Sequence, residues 1–230
     1  MSSFFLKIFA LIFMIIDHTG FILFPGQTIF RAIGRLAFPL FAYQMAVGFS
    51  HTRNKEKHIL KLLLFAILCQ IPNLIMINIY ENAIMFNIIF TFVLALLIIY
   101  SIEKFKFIES TGTTKKINFK NLLFSLVLTT VLILIGIYLK VDYGWYGILL
   151  TVAFYFTLHK KILSIIAFFI LLNLNHIINH NFMSLLAYIS MFDCIFILLF
   201  NGKRGYKFSW VFYALYIFHF IPLLAIKYYT

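Results

Sequence analysis

The chain has 230 residues, 63% of them hydrophobic and 11% charged, with a net charge of +12 and a mean hydropathy of +1.01. That composition excludes an ordinary soluble domain, since globular chains are about half apolar and about a quarter charged. Apolar runs of about 18 residues or more recur, and they are continuous rather than alternating, which reads as an all-α polytopic transmembrane bundle and not a β-barrel.

In chain order, nine membrane helices are expected, over about 4–24, 29–49, 59–79, 84–102, 122–141, 144–159, 162–178, 182–200 and 208–226. The first run contains Lys7 but no small-residue cleavage site before Asp17, so it is read as a retained helix rather than a signal peptide. Short connections, such as the turn around Pro25-Gly26, make neighbouring helices antiparallel hairpins. The segment 103–121, with Glu109-Ser110-Thr111-Gly112-Thr113-Thr114 at its centre, is expected to be a flexible, solvated cytoplasmic loop. No internal repeat or soluble domain is visible, so residues 1–230 are read as a single integral-membrane domain.

Charge sets the orientation. Of 19 basic residues, fifteen fall on the side of the N-terminus: Lys7 and the groups within 53–61, 104–120, 160–161 and 203–207. Lys140 and Lys227 fall on the opposite side, and Arg31 and Arg35 lie within a span. Basic residues gather on the cytoplasmic face, so the N-terminus is expected inside and the C-terminus outside, consistent with an odd number of spans. Topology and anionic membrane lipid account for the positive charge, and no nucleic-acid partner is expected. Cys69 and Cys194 lie in apolar runs and read as small buried hydrophobes; no cysteine spacing suggests a metal, and none is expected.

The polar residues within the spans carry the functional signal, because an ionisable group near the middle of a span costs about 2.5–3.5 kcal/mol. Asp17 and His18 share the first span, and Arg31 and Arg35 share the second. Asp17 lies about seven residues from the outer end of its helix, about 10 Å at 1.5 Å per residue. Arg35 lies at a similar depth and Arg31 one turn shallower on the same face. The short hairpin therefore places Asp17 opposite Arg35, leaves Arg31 as a spare positive charge, and points His18 elsewhere. Gln70, Asn73, Asn87, Asp142, Tyr143, His176, His180 and His219 collect in the same outer half, whereas Gln44 and Asp193 are the main polar groups of the inner half.

Each residue also has a purely structural reading. The carboxylate and an arginine can lock one hairpin, a histidine can satisfy a carbonyl, and Asn73 can repair backbone bonds broken by Pro72. The stretch His51-Thr52-Arg53-Asn54-Lys55 is either ordinary cytoplasmic charge or a grip on phosphates. A histidine, a carboxylate and guanidinium groups in one leaflet suit acyl transfer. The imidazole takes a proton from an attacking amine or hydroxyl, and the guanidinium stabilises the oxyanion formed from a thioester. Proton-coupled transport would use the same groups, and these features leave both open.

The stretch Leu6-Lys7-Ile8-Phe9-Ala10, leading to Met14-Ile15-Ile16-Asp17-His18-Thr19-Gly20, resembles the opening of the TraX family. So does Arg31-Ala32-Ile33-Gly34-Arg35-Leu36-Ala37-Phe38-Pro39-Leu40-Phe41-Ala42, followed by Gly48-Phe49-Ser50-His51-Thr52-Arg53-Asn54. Gln70-Ile71-Pro72, Asn87-Ile88-Ile89-Phe90-Thr91 and Asp142-Tyr143-Gly144-Trp145-Tyr146-Gly147 resemble its later motifs. The likeness covers most of the chain and is densest over residues 5–95. Asp17-His18 matches the family's helix-1 pair, Arg31 and Arg35 its helix-2 arginines, and the segment Tyr213–His219 resembles a Tyr-Pro-x-His element. Ile217 stands where that element has proline, and Val47 where family members often carry an acid before Gly-Phe.

The resemblance implies a membrane-bound acyltransferase, since the family's named member is associated with N-terminal acetylation of a pilin subunit in conjugation. It implies acetyl-CoA entering from the cytoplasm and an acceptor amine presented at the outer face. The expected site has His18 as general base with Asp17, Arg35 and Arg31 as catalytic groups. Arg53 and His51 are expected to contact CoA, and Asn87, Asp142, Tyr143 and His219 the acceptor. That acceptor is expected to be an exported peptide N-terminus, a lipoprotein or a glycan, reached from the cytoplasmic (inner) membrane. The rival readings are a proton-coupled transporter or flippase and a non-catalytic membrane assembly factor. The absence of internal repeats and the odd number of spans fit a two-halved transporter poorly.

Overall fold

The computed structural model describes residues 1–79, 85–105, 108–111, 114–180, 185–206 and 209–229. The expected starts of the fourth, eighth and ninth spans, at 84, 182 and 208, lie outside the described residues, as do residues 106–107 and 112–113 of the expected loop. The described residues are mostly helical: α1 (Ser3–Leu23), α2 (Thr28–Gly34), α3 (Ala37–Ser50), α4 (Lys55–Ile79), α5 (Ile88–Lys104), α6 (Phe119–Tyr138), α7 (Gly144–Thr157) and α8 (Lys161–Asn179). They are followed by a 3₁₀ segment (Ala187–Phe192) that leads into α9 (Asp193–Leu199), then α10 (Ser209–Phe218) and α11 (Phe220–Tyr229). Every expected span thus has a helical counterpart. Five stretches are long and apolar enough to cross a membrane: Ser3–Leu23, Thr28–Ser50, Lys55–Leu74, Phe119–Tyr138 and Lys161–Asn179.

Proline breaks two of the expected helices, while the one expected over 182–200 is 3₁₀ over Ala187–Phe192 before α9. Pro39 has no N–H to offer the carbonyl of Arg35, four residues back, and its ring crowds that carbonyl. The backbone tightens instead into i→i−3 bonds, from Arg35 N–H to Ala32 O (3.2 Å) and from Leu36 N–H to Ile33 O (3.1 Å). The second span therefore divides into α2 and α3 rather than running unbroken from 29 to 49. Pro222 does the same to the carbonyl of Phe218, and the ninth span divides at His219. The segment expected to be an open loop, 103–121, holds a two-stranded antiparallel ribbon, β1 (Ile108–Thr111) with β2 (Thr114–Ile117), paired from Ile108↔Ile117 to Thr111↔Thr114. Its β-branched residues pair across the strands, Ile108 with Ile117 and Thr111 with Thr114, which suits a hairpin.

The chain forms two compact units, Met1–Val47 with Phe156–Thr230, and Gly48–Tyr155. In the first, α1 packs along α2, α10 and α11. The opening N–H groups of α1, which have no partner inside the helix, donate to a loop distant in sequence: Ser3 to Lys203 O (2.8 Å) and Phe4 to Arg204 O (3.2 Å). Phe196 of α9 packs its ring on Phe9 and Phe13, with centroids 5.1 and 6.0 Å away. The Ser3 hydroxyl donates to the Gln44 amide oxygen.

The second unit is built around α5, whose Leu94, Ala95 and Ile98 join Leu132, Val141 and Ile148 in one apolar core. A fully engaged amide network ties α4 to the start of α5. Gln70 Oε1 accepts from Asn87 N–H (3.0 Å) and Nδ2 (2.8 Å), Asn87 Nδ2 also donates to Ala66 O (2.8 Å), and Asn87 Oδ1 caps α5 by accepting from Ile89 N–H (3.0 Å). Asn73 bonds Met85 O (2.8 Å), which also accepts from Gln70 Nε2 (3.0 Å). Its amide thus reaches across to the next span instead of mending the backbone at Pro72. At the other end of α4, Lys55 pairs with Glu103 and donates to the Tyr155 hydroxyl (3.0 Å).

Asn87→Ala removes a helix cap and strands several amide partners, so unfolding in detergent should become easier by about 1–3 kcal/mol. A melting temperature equal to wild type would show that this network carries no load.

Candidate active site

The turn at Pro25-Gly26 folds α2 back along α1, with Gln27 N–H donating to Phe24 O (2.9 Å). Contact is close because two glycines allow it. A Cβ on Gly20 would stand 2.2 Å from Phe30 Cβ, and one on Gly34 would stand 2.2 Å from Asp17 Oδ1. Asp17 is thereby pressed against the α2 backbone at Gly34. Its Oδ1 is buried with no hydrogen-bond partner among the described residues.

The other oxygen, Oδ2, takes its countercharge from Arg31 Nη1 at 2.8 Å. Sequence spacing had put Arg35 in that place; the structure puts Arg31 there. The reason is the break imposed by Pro39. Arg35 follows the last residue of α2 and lies in the tightened turn, whereas Arg31 remains on the regular helix facing α1. Arg35 stays near enough to act on Asp17 electrostatically. The Arg31 guanidinium also lies over the Phe21 ring, 5.5 Å from its centroid, an arrangement that favours a cation.

His18, one residue on and about 100° further round the helix, faces the ninth span. Its Nδ1 lies 2.5 Å from Nε2 of His219, with ring centroids 4.8 Å apart and planes 14° from parallel. His219 stands at the junction of α10 and α11. It is buried, and its Nδ1 donates to Tyr216 O at 2.7 Å while its backbone N–H donates to Leu215 O at 3.0 Å. Pro222 supplies the break that presents this ring, although residue 217 is isoleucine. Phe220 stacks on His18, with centroids 4.7 Å apart, and leans against His219 at 4.1 Å with the planes 36° apart. Phe220 was not legible as a site residue, because nothing marks it except adjacency to His219. Arg31 is close enough to His18 to act on it electrostatically.

Asp17, His18, Arg31, Arg35 and His219 therefore belong to one compact unit, and four of them meet in direct contacts. The remaining expected residues belong to the other unit. His51 is exposed with Nδ1 3.1 Å from Ser50 Oγ, and Arg53 is exposed. Asn87 is the buried cap described above. Asp142 sits in a turn where Lys140 and Tyr143 both adopt left-handed backbone (φ +49° and +60°), a conformation side chains rarely favour. Its Oδ1 accepts from Tyr143 N–H (3.0 Å), and its carbonyl accepts from the Thr91 hydroxyl (2.5 Å). Among the described residues, no three His, Cys, Asp or Glu side chains converge as metal ligands would.

Comparison with known proteins adds a family match. Residues 2–227 match the model of the family described as "TraX protein". A stretch of 73 residues is 34% identical to the "Probable fimbrial assembly protein FimC, serogroup H1" of Dichelobacter nodosus, covering 30% of this chain and 30% of that relative. The matched stretch thus spans less than a third of the relative's length. No solved structure matches.

The closeness of the α1–α2 hairpin makes Gly34 the most size-sensitive position in the site. Gly34→Ala should lower stability by about 1–3 kcal/mol through overpacking against Asp17. Gly26→Ala, whose new Cβ would meet nothing within 4 Å, should stay within about 0.5 kcal/mol of wild type. Equal melting curves for the two variants would overturn the packing described.

Proposed function

This chain belongs to the TraX family, and from that premise we propose that it is an integral membrane acyltransferase, moving acetyl from acetyl-CoA to an amine at the far side of the cytoplasmic membrane. The observation that supports this reading most is the convergence, near the end of α1, of a histidine pair with an arginine–aspartate pair. Imidazole handles protons near neutral pH, and a fixed guanidinium in a poorly hydrated site stabilises developing negative charge.

The chemistry follows from those roles. The acceptor's neutral amine attacks the thioester carbonyl, forming a C–N bond and placing negative charge on the carbonyl oxygen. Arg31 and Arg35 face that charge. Asp17, held through its Oδ2, keeps the Arg31 guanidinium in one orientation. His18 takes the proton from the attacking nitrogen, the C–S bond breaks, and the proton passes to the departing thiolate. The products are an N-acetylated acceptor and CoA, with no net change in protons on the protein. Arg53 and His51, exposed and basic, are suited to the phosphates of the donor, which fits a cytoplasmic end for that part of the chain. The fimbrial assembly protein among its relatives favours an exported subunit's N-terminus over a lipoprotein or a glycan.

Purified protein in lipid nanodiscs, given radiolabelled acetyl-CoA and a peptide amine, should transfer label. His18→Ala should reduce that transfer by about 10²-fold or more. Wild-type rates in the variant would remove the enzyme reading. Potential-dependent flux of a solute without any covalent product would replace it with transport.

A further inference from the structure

The hydrogen bonds around the two imidazoles have a direction, and it determines which nitrogen can act. A backbone carbonyl only accepts, so the 2.7 Å contact between His219 Nδ1 and Tyr216 O requires the proton to reside on His219 Nδ1. In the neutral ring, Nε2 of His219 is then a lone pair. That lone pair faces His18 Nδ1 at 2.5 Å, a separation that holds one proton between the two nitrogens. With His219 Nε2 bare, the proton belongs to His18.

We propose that His219 is a positioning residue that fixes His18 as its Nδ1–H tautomer and so leaves His18 Nε2 as the atom that accepts the substrate's proton. The inference rests on the reading of His18 as general base and deepens it. It also separates two residues that composition treats alike. His219 cannot itself be the base while its Nε2 is engaged with His18, and His18 cannot use Nδ1. The relay runs Tyr216 O, His219, His18, and each link is fixed by a structural feature. The carbonyl of Tyr216 lies three residues before His219. The helix interruption between α10 and α11 carries the ring of His219. The Phe220 ring packs against both imidazoles, whose planes lie 14° apart. The logic is that of a base oriented by a second group that holds its other nitrogen.

Histidine-selective ¹⁵N NMR of the full chain in nanodiscs, at a pH where both rings are neutral, reads the tautomers without needing turnover. The expected wild-type result is Nδ1–H at both His18 and His219. His219→Leu, which removes the acceptor, should release His18 to a mixture containing Nε2–H and lower kcat about 10²-fold, with KM for acetyl-CoA little changed. His219→Gln, which sets a carbonyl oxygen near the position of Nε2, should restore the Nδ1–H signal and most of kcat. An Nε2–H signal from His18 in the wild-type protein would overturn the proposal, as would a His18 signal unaltered in His219→Leu. If the tautomers are as expected but no variant or wild-type protein transfers acetyl, the acyltransferase reading fails while the positioning of His18 stands.

Discussion

Asp17 places a carboxylate in a helix whose neighbours are almost all apolar, and Arg31 brings the countercharge to 2.8 Å. Taking either partner away strips the other of its direct countercharge, a loss that costs about 3–5 kcal/mol where the pair is fully buried. The hairpin cannot slide by a residue without separating them. Close packing at Gly20 and Gly34 follows from that fixed register, because only glycine tolerates the approach of Phe30 and Asp17. Once α1 is locked in rotation by Asp17, the next residue has no freedom about the helix axis. His18 faces α10 and α11 because Asp17 faces α2.

Two prolines finish the arrangement by subtraction. Each removes one backbone donor and crowds one carbonyl, and each acts four residues before itself. Pro39 acts at Arg35, and Pro222 acts at Phe218, next to His219. Both interruptions thus fall at or beside residues of the site. A continuous helix would carry Arg35 on the same face as Arg31, where two guanidiniums would compete for one carboxylate. The break takes Arg35 off the regular helix that carries Arg31, and Arg31 pairs with Asp17. At His219, the interruption frees the ring to bond the carbonyl of Tyr216 while its backbone N–H still completes the last turn of α10.

The spans were legible because hydrophobicity over about 20 residues is a signal no other segment imitates. The convergence of the first two spans was legible as well, since a short turn leaves an antiparallel hairpin as the natural outcome. The identity of the pairing arginine was not. Depth alone ranks Arg35 above Arg31, and the ranking reverses only when the local consequence of Pro39 is carried through to side-chain direction. The contact between His18 and His219 joins residues 201 positions apart, and no local pattern encodes such a meeting. The ribbon at 108–117 was hidden for a different reason: its lysines and threonines read equally well as a charged loop.

Asn87 shows how a polar residue within a membrane span divides into structure and chemistry. Its side chain bonds Ala66 O, Gln70 Oε1 and the N–H of Ile89, leaving it saturated. A saturated buried network stabilises one arrangement, and recruiting it to bind anything else means breaking bonds already made. Asp17 differs: one oxygen is paired, and the other is buried without a partner among the described residues. An unsatisfied acceptor in such a place carries a desolvation penalty of about 1–3 kcal/mol. The acid thus has capacity for another donor at the point where the arginine and histidine pairs of the same unit meet. Asn87 and Asp17 are both polar and both lie close to helix ends, and it is the state of their hydrogen bonds that separates them.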